Sequence, residues 1–294
     1  MKIGLMTTPR ESAADTVAVA QMAEARGIES IWLGEHSHLP TATKHAFHEE
    51  TPDFYKRVPD PYVTLAAAAT ATERIRLGTA ISLPAEHNPI TLAKMIATLD
   101  HASGGRFDWG IGYGWNQLEM VNRGLDPLRR MATLREVVLA VRALWTSEVT
   151  SFDGKHVSFT ESWCRPKPVQ APHPPILLGC RPGPRAFTQL AEFCDGWMPN
   201  IAMISDLEAN LHDLNDAWRR AERVGTPRLT FIDTGFWTDI GVEDYRDYLH
   251  ALVPTLESLA QAGGERVILG MPLFRMDDAE RMLDQLCDAT AIEV

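Results

Sequence analysis

The residues best suited to chemistry lie in four short stretches. "GEHSHLP" (34–40) sets one carboxylate, Glu35, beside two imidazoles, His36 and His38. Histidine titrates nearest neutrality, so a histidine placed here suits proton transfer. In an extended segment His36 and His38 point the same way, and such a pair can also hold zinc. A third reading has these polar groups merely covering a strand end. "GIGYGW" (110–115) alternates glycine with larger residues. It lacks the G-x-G-x-x-G turn of a dinucleotide fold, but glycines at a strand end admit a flat ligand or another backbone, or make a tight turn. "LLGCRPGPRAF" (177–187) leaves a strand at Gly179 and enters a helix, bringing free backbone N–H groups and Arg181 and Arg185 to one spot. That spot fits a phosphate, or a plain capped helix with solvated arginines. "RLGTAISLPAEHNP" (76–89) has small residues, Gly78, Thr79 and Ala80, where a strand would normally fill a core.

The elements around these stretches alternate. Short apolar strands are expected at 2–6, 30–34, 75–81, 106–112, 175–179, 195–199, 228–236 and 266–270. Between them run helical patterns, of which 12–26, 128–146 and 205–224 show apolar residues at a 3.6-residue period. Asp60-Pro61 starts a helix in the manner of an N-cap followed by a first-turn proline, and a further helical pattern begins directly after the polar turn that ends at Pro89. A hairpin and a proline-rich crossing occupy 149–174. Eight βα units predict a parallel sheet closed into a (β/α)8 barrel, an α/β fold, with an open doubly wound sheet as the competitor. The 294 residues suit one such barrel with insertions, and no linker or repeat divides them, so a single domain over 1–294 is expected.

Barrel active sites sit at the C-terminal ends of the strands. The shortlist is therefore Thr7 and Thr8, Glu35 and His36, Ser82 to His87, Tyr113 to Asn116, Cys180 and Arg181, Pro199 and Asn200, Trp237 and Met271. His45, His48, Glu49 and Glu50 fall in a long polar loop without ligand spacing and read as solvated.

A formal net charge of −11 gives no electrostatic reason to seek nucleic acid or an anionic membrane, and both are set aside as partners. No apolar run approaches the roughly 18 residues of a membrane span. The four cysteines form no C-x-x-C pair, which fits reduced thiols and a cytoplasmic location. Neither a P-loop nor a G-x-S-x-G elbow occurs.

Five segments in register, "GIESIWLGEH", "DPYVTLAAAATATERIRLGTAIS", "HNPITLAKMIATLDHASGGRFDWGIGYGW", "RPKPVQAPHPPILLG" and "DGWMP", together resemble the bacterial luciferase-like superfamily. More narrowly they look like its branch of oxidoreductases that use the deazaflavin coenzyme F420. The likeness runs from residue 1 to about 200 and thereafter keeps only the barrel pattern. It implies a TIM barrel with an insertion and a cofactor across its mouth. It implies a bulge in the third strand behind the central ring, often with a cis peptide between non-proline residues; the matching bond is Ala80–Ile81. Thr79, Ala80 and Ile81 then back the ring, Gly112, Tyr113 and Gly114 lie beside it, and Gly179, Cys180 and Arg181 take its phosphate. Cys180 stands where the family has a second glycine. His36 matches an active-site histidine and Glu35 the acid expected to orient it. Sugar-phosphate dehydrogenases of this branch carry a glutamate directly after the strand-four glycines. Here Trp115 stands there, followed by Asn116, which argues against that activity and makes both residues candidates for the substrate wall.

The resulting expectation is hydride transfer between the C5 of F420 and a small organic substrate. The alternatives are an FMN-dependent monooxygenase using reduced flavin and O2, a metal-dependent barrel hydrolase built on His36 and His38, and a flavin-binding relative without turnover. The preferred reading assigns no metal. A homodimer is the family's usual state, and the alanine-rich helix at 64–72 would permit close packing.

Overall fold

The computed structural model describes residues 1–7, 13–44, 51–235, 244–271 and 276–290. Thr8 and Trp237 of the sequence shortlist, and the loop residues His45, His48, Glu49 and Glu50, lie outside them. The first half runs β1 (Lys2–Thr7), α1 (Ala13–Ala25), β2 (Ser30–Leu33), α2 (Pro61–Ala71), β3 (Arg76–Thr79), α3 (Pro89–Ala102), β4 (Phe107–Gly112), α4 (Gln117–Asn122) and α5 (Arg130–Thr146). The second half runs β5 (Thr150–Asp153), β6 (Ser158–Ser162), β7 (Ile176–Gly179), α6 (Pro184–Phe193), β8 (Gly196–Trp197), α7 (Leu207–Arg220), β9 (Arg228–Asp233), α8 (Tyr245–Gln261), β10 (Arg266–Met271) and α9 (Ala279–Thr290). Among the described residues no helix is long and apolar enough to cross a membrane.

Eight strands close a parallel barrel in the order β1, β2, β3, β4, β7, β8, β9, β10 and back to β1. The (β/α)8 expectation is met and the open sheet is excluded. The antiparallel pair β5–β6 is the expected hairpin, set outside the barrel. Local chemistry starts the helices where the sequence placed them. Asp60 accepts the Val63 N–H ahead of Pro61, and Asn88 accepts from Ile90 and Thr91 ahead of Pro89.

The barrel interior is layered. At the N-terminal end of the strands Arg266 and Asp108, neither with exposed side-chain surface, meet at 3.3 Å. Above them Trp32 fills the middle. Met6, Ala80, Leu177, Met198, Ile232 and Ile268 form an apolar layer around it, with Ile81 packed against them.

This layering corrects one expectation about β3. The room at Gly78 serves no ligand: a Cβ there would land on the Trp32 ring, and one at Gly4 would meet Ser30 and Trp32. The glycines admit an indole into the barrel. Gly78→Ala is therefore expected to overpack the core and cost about 1–3 kcal/mol, read as a lower denaturation midpoint in urea. An unchanged midpoint would mean that Trp32 can move aside.

Regular pairing of β3 ends at Thr79, two residues earlier than the sequence reading. The Ala80–Ile81 peptide is cis, as the resemblance implies. Ser82 then rejoins β4, donating its N–H to the Gly110 carbonyl at 2.8 Å and accepting from the Gly112 N–H at 2.9 Å. Residues 80–82 thus form a bulge that stays tied to both neighbours, since the Ala80 N–H donates to the Leu33 carbonyl at 2.7 Å.

Candidate functional site

The bulge is held from the β2 side by Glu35. Its N–H donates to the Ile81 carbonyl at 3.2 Å, and its Oε2 accepts the Leu83 N–H at 2.7 Å. Its Oε1 lies 2.5 Å from Nε2 of His87. One residue therefore grips the chain on both sides of Ser82, and an imidazole fixes its free oxygen. Burial disfavours charge on His87, but the hydrogen bond and charge of Glu35 outweigh it and raise its pKa. Behind the bulge the Trp109 indole N–H donates to Tyr62 Oη at 3.1 Å, and Tyr62 Oη and Ser82 Oγ are 2.6 Å apart.

Glu35 does not orient His36, which corrects the sequence expectation. Successive residues of an extended chain face opposite ways, and Glu35 is spent on the bulge and His87. The partner of His36 is Glu119, whose Oε2 lies 2.7 Å from His36 Nδ1. Its Oε1 accepts the Ser37 N–H at 2.7 Å and the Ser37 hydroxyl at 3.2 Å. Burial works against ionisation of Glu119, but the His36 hydrogen bond and charge and the backbone donors hold its pKa below the usual carboxylate value. An ionised Glu119 can only accept, so the proton lies on His36 Nδ1. Nε2 is left without a hydrogen-bond partner among the described residues. Tyr55 and Trp115 flank the imidazole edge-on at centroid distances of 5.4 and 5.5 Å.

Glu119 stands on α4, a helix the sequence reading leaves unassigned. The signal was present in Asn116-Gln-Leu-Glu119, an N-cap with an acid three residues on. The carboxylate goes across to the β2 exit rather than back to its own helix. Asn116, expected on the substrate wall, is corrected by the same geometry. Its Oδ1 caps α4, accepting from the Leu118 and Glu119 N–H groups, and its Nδ2 donates to Thr43 Oγ1 at 3.1 Å. Trp115 does stand at the mouth, against His36.

His38 is engaged elsewhere. Its Nδ1 lies 3.0 Å from Ser37 Oγ and its Nε2 2.9 Å from Asn122 Nδ2. The His36–His38 zinc pair is not assembled, and no group of three or more His, Cys, Asp or Glu side chains is arranged to hold a metal ion among the described residues.

Glu35, His36 and His87 share a cavity of about 350 Å³ with Ser37, Val58, Asp60, Pro61, Glu86 and Arg123. Glu86 fell within the shortlisted stretch Ser82 to His87 but was given no role, and Arg123 lay outside the shortlist. Only the position of Glu86 just after β3 hinted at a site residue.

The residues expected around a cofactor converge only in part. The Ile81 side chain lies over Gly112 of β4 and Gly179 of β7, where a Cβ on either glycine would meet it. Tyr113 donates its hydroxyl to Gln189 Oε1 of α6 at 2.7 Å, linking the β4 exit to the β7 exit. Gly114 takes a positive φ of 75°, which suits its residue type. Thr79 does not face the mouth with its hydroxyl, which donates to the Gly110 carbonyl at 2.7 Å within the wall. Beyond Gly179, burial pushes the Cys180 thiol up to about 12, so it stays neutral. Gly183 gives α6 no side-chain cap. Arg181 and Arg185 are exposed and make no ion pair among the described residues. An uncapped helix start with two free cations suits an anion.

With this geometry the comparisons with known proteins become interpretable. A family model described as luciferase-like monooxygenase matches residues 1–285. The chain belongs to the luciferase-like monooxygenase family. The match continues past residue 200, where the sequence resemblance faded. An uncharacterized protein of Mycobacterium tuberculosis is 38% identical over 292 residues, 97% of each chain. Among solved structures, the monooxygenase RslO1 from Streptomyces bottropensis superposes with a TM-score of 0.79 at 22% identity over 99% of both chains. An F420-dependent secondary alcohol dehydrogenase superposes with a TM-score of 0.75 at 20% identity over 98% of both. At those identities the structures speak to the fold. Named relatives include both F420-dependent enzymes and an FMNH2-dependent monooxygenase. This luciferase-like chain is an oxidoreductase.

Proposed function

We propose that this luciferase-like protein transfers a hydride between coenzyme F420 and a small organic substrate, with His36 managing the accompanying proton. The observation that carries the reading is the His36–Glu119 pair. A buried carboxylate fixes one imidazole nitrogen, and the other is left unengaged at the barrel mouth. Reduction of a C=O, C=N or C=C bond by hydride needs one proton delivered beside the acceptor carbon, which is what such an imidazole supplies.

The residues present fit a deazaflavin. Gly112 and Gly179 carry no Cβ, and the side chain of Ile81 from the bulge takes that space at the β4 and β7 exits. The α6 start, with Arg181 and Arg185, would take the phosphate. When bound, the deazaflavin supplies or accepts the hydride at its C5. The protein holds the bulge carrying Ile81 through Glu35, positions His36 through Glu119, and walls the mouth with Trp115 and Tyr55.

Parallel fluorescence-quenching titrations of the purified protein with F420 and with FMN test the cofactor. The expected result is saturable F420 binding that Arg181→Ala weakens by several fold, consistent with loss of one charge-assisted phosphate contact. Tight FMN binding with no F420 binding would overturn the choice and leave the flavin monooxygenase reading in its place.

A further inference from the structure

Three glutamates lie in or beside the cavity at His36, Glu35 and Glu86 in its lining and Glu119 behind His36, and they differ in their use. Glu35 and Glu119 each accept from an imidazole and from a backbone N–H. Glu86 accepts nothing at its carboxyl among the described residues; only its main-chain carbonyl is engaged, by Arg123 Nη2 at 2.6 Å. Yet Glu86 is only 9% exposed and lines the same cavity as His36. A buried carboxyl with no partner is costly as an anion and adds nothing to packing that an apolar side chain would not. Its neighbours account for its state. Glu119 faces it from α4 and Glu35 from the β2 exit, while Arg123 at the end of α4 and His87 beside it pull the other way. Asp60 and His36 complete the charged and titratable lining. Burial first, then the charges of Glu119 and Glu35, push the Glu86 carboxyl up to about 8. It is therefore protonated at neutral pH, and its proton can be released at modest cost.

We propose that Glu86 is the proton store of this site, passing a proton across the cavity to His36 after each reduction and recovering it from solvent. The inference rests on the reading of His36 as the proton-transfer group. In the reducing direction the acceptor gains a hydride at carbon and, from His36 Nε2, the proton that Nε2 took from Glu86 in the preceding cycle, so that its π bond becomes two σ bonds to hydrogen. The bare Nε2 lone pair takes the Glu86 proton, leaving a carboxylate. Solvent at the cavity entrance returns one proton to that carboxylate. One hydride and one proton are consumed per turnover. In the oxidising direction the same path runs in reverse.

The experiment is turnover against pH from 6 to 10 for wild type, Glu86→Gln and Arg123→Gln, with whichever of F420 or FMN supports turnover. It is paired with an infrared titration of the carboxyl C=O band of the protein alone. In the wild type, reduction should fall as pH rises through about 8, and a protonated carboxyl band should vanish over the same range. Glu86→Gln should lower turnover by about tenfold at neutral pH, within the range of general acid effects, and abolish both the limb and the band. Cofactor affinity should stay the same. Arg123→Gln removes a charge that favours the carboxylate, so the limb should move to higher pH without any change at Glu86 itself. Wild-type turnover and an unmoved limb in Glu86→Gln would overturn the proposal, as would an infrared titration with no carboxyl near 8. Full activity in His36→Ala would instead overturn the reading on which it rests, and the infrared result is independent of that outcome.

Discussion

His36→Ala is expected to lower kcat by about 100- to 10,000-fold, the usual range for loss of a positioned acid–base group, while the dissociation constant of the cofactor changes little. The asymmetry follows from the contacts. His36 is tethered through Nδ1 to Glu119, and its flanking rings belong to Tyr55 and Trp115. None of these is among the glycines and arginines expected to cradle the cofactor. Glu119→Gln should reproduce part of the loss. A neutral amide can still reach Nδ1, but it no longer demands a proton on that nitrogen. Steady-state kinetics with cofactor titration in both variants would check this. Unchanged turnover in His36→Ala would reduce the residue to a wall of the mouth.

Glu35 separates the two roles. Its contacts go to Ile81, Leu83 and His87, so Glu35→Gln should disturb the bulge and show first in cofactor affinity. The sequence pairs Glu35 with His36 because they are adjacent, and adjacency in an extended chain is what keeps two side chains apart. The fold was legible because eight alternations of period-2 and period-3.6 patterning leave few ways to close a sheet. The start of α2 was legible because Asp60-Pro61 is a local device. The bulge at 80–82 came from the resemblance, and the room at Gly78 misled because a small residue records that space is needed, not by whom. Trp32, 46 residues earlier in the chain, is what needs it. The site was harder for the same reason. Glu119 lies 83 residues from His36 and is brought there by a six-residue helix too short to show a period. Its one local mark was the N-cap spacing from Asn116.

Asp108→Ala is expected to cost about 3–5 kcal/mol of stability, the penalty for breaking a buried ion pair and leaving its partners uncompensated. Asp108 lies within the barrel at the strands' N-terminal end, with its side chain wholly buried. Arg76 binds it in two places, Nε to Oδ2 at 3.0 Å and Nη2 to Oδ1 at 2.5 Å. Arg266 Nη1 lies 3.3 Å from Oδ2, and Arg228 Nη1 approaches Oδ1 at 4.0 Å. Arg266 also has no exposed side-chain surface and turns its remaining nitrogens to Glu29, at 2.6 and 2.5 Å. Removing one acid therefore leaves a guanidinium deep in the barrel with half its charge unanswered. The double exchange Asp108→Leu with Arg266→Met should recover only part of the loss, because it spares an orphaned Arg266 but still leaves Arg76 without Asp108 and Glu29 without Arg266. Urea denaturation of the two variants would measure it, and an unchanged midpoint in Asp108→Ala would show that Arg266 finds water or another acid. The floor also sets an acid limit. Glu29 is held below its usual pKa by Arg266 despite the opposing effect of burial, and Glu265 is lowered chiefly by its Arg228 hydrogen bond. A carboxylate lowered in the folded state contributes fully above its unfolded pKa, and that contribution is lost as pH falls through the folded value. Stability should thus decline below the ordinary carboxylate range. The proton chemistry of the mouth, centred near pH 8 at Glu86, is exercised where the floor is fully charged.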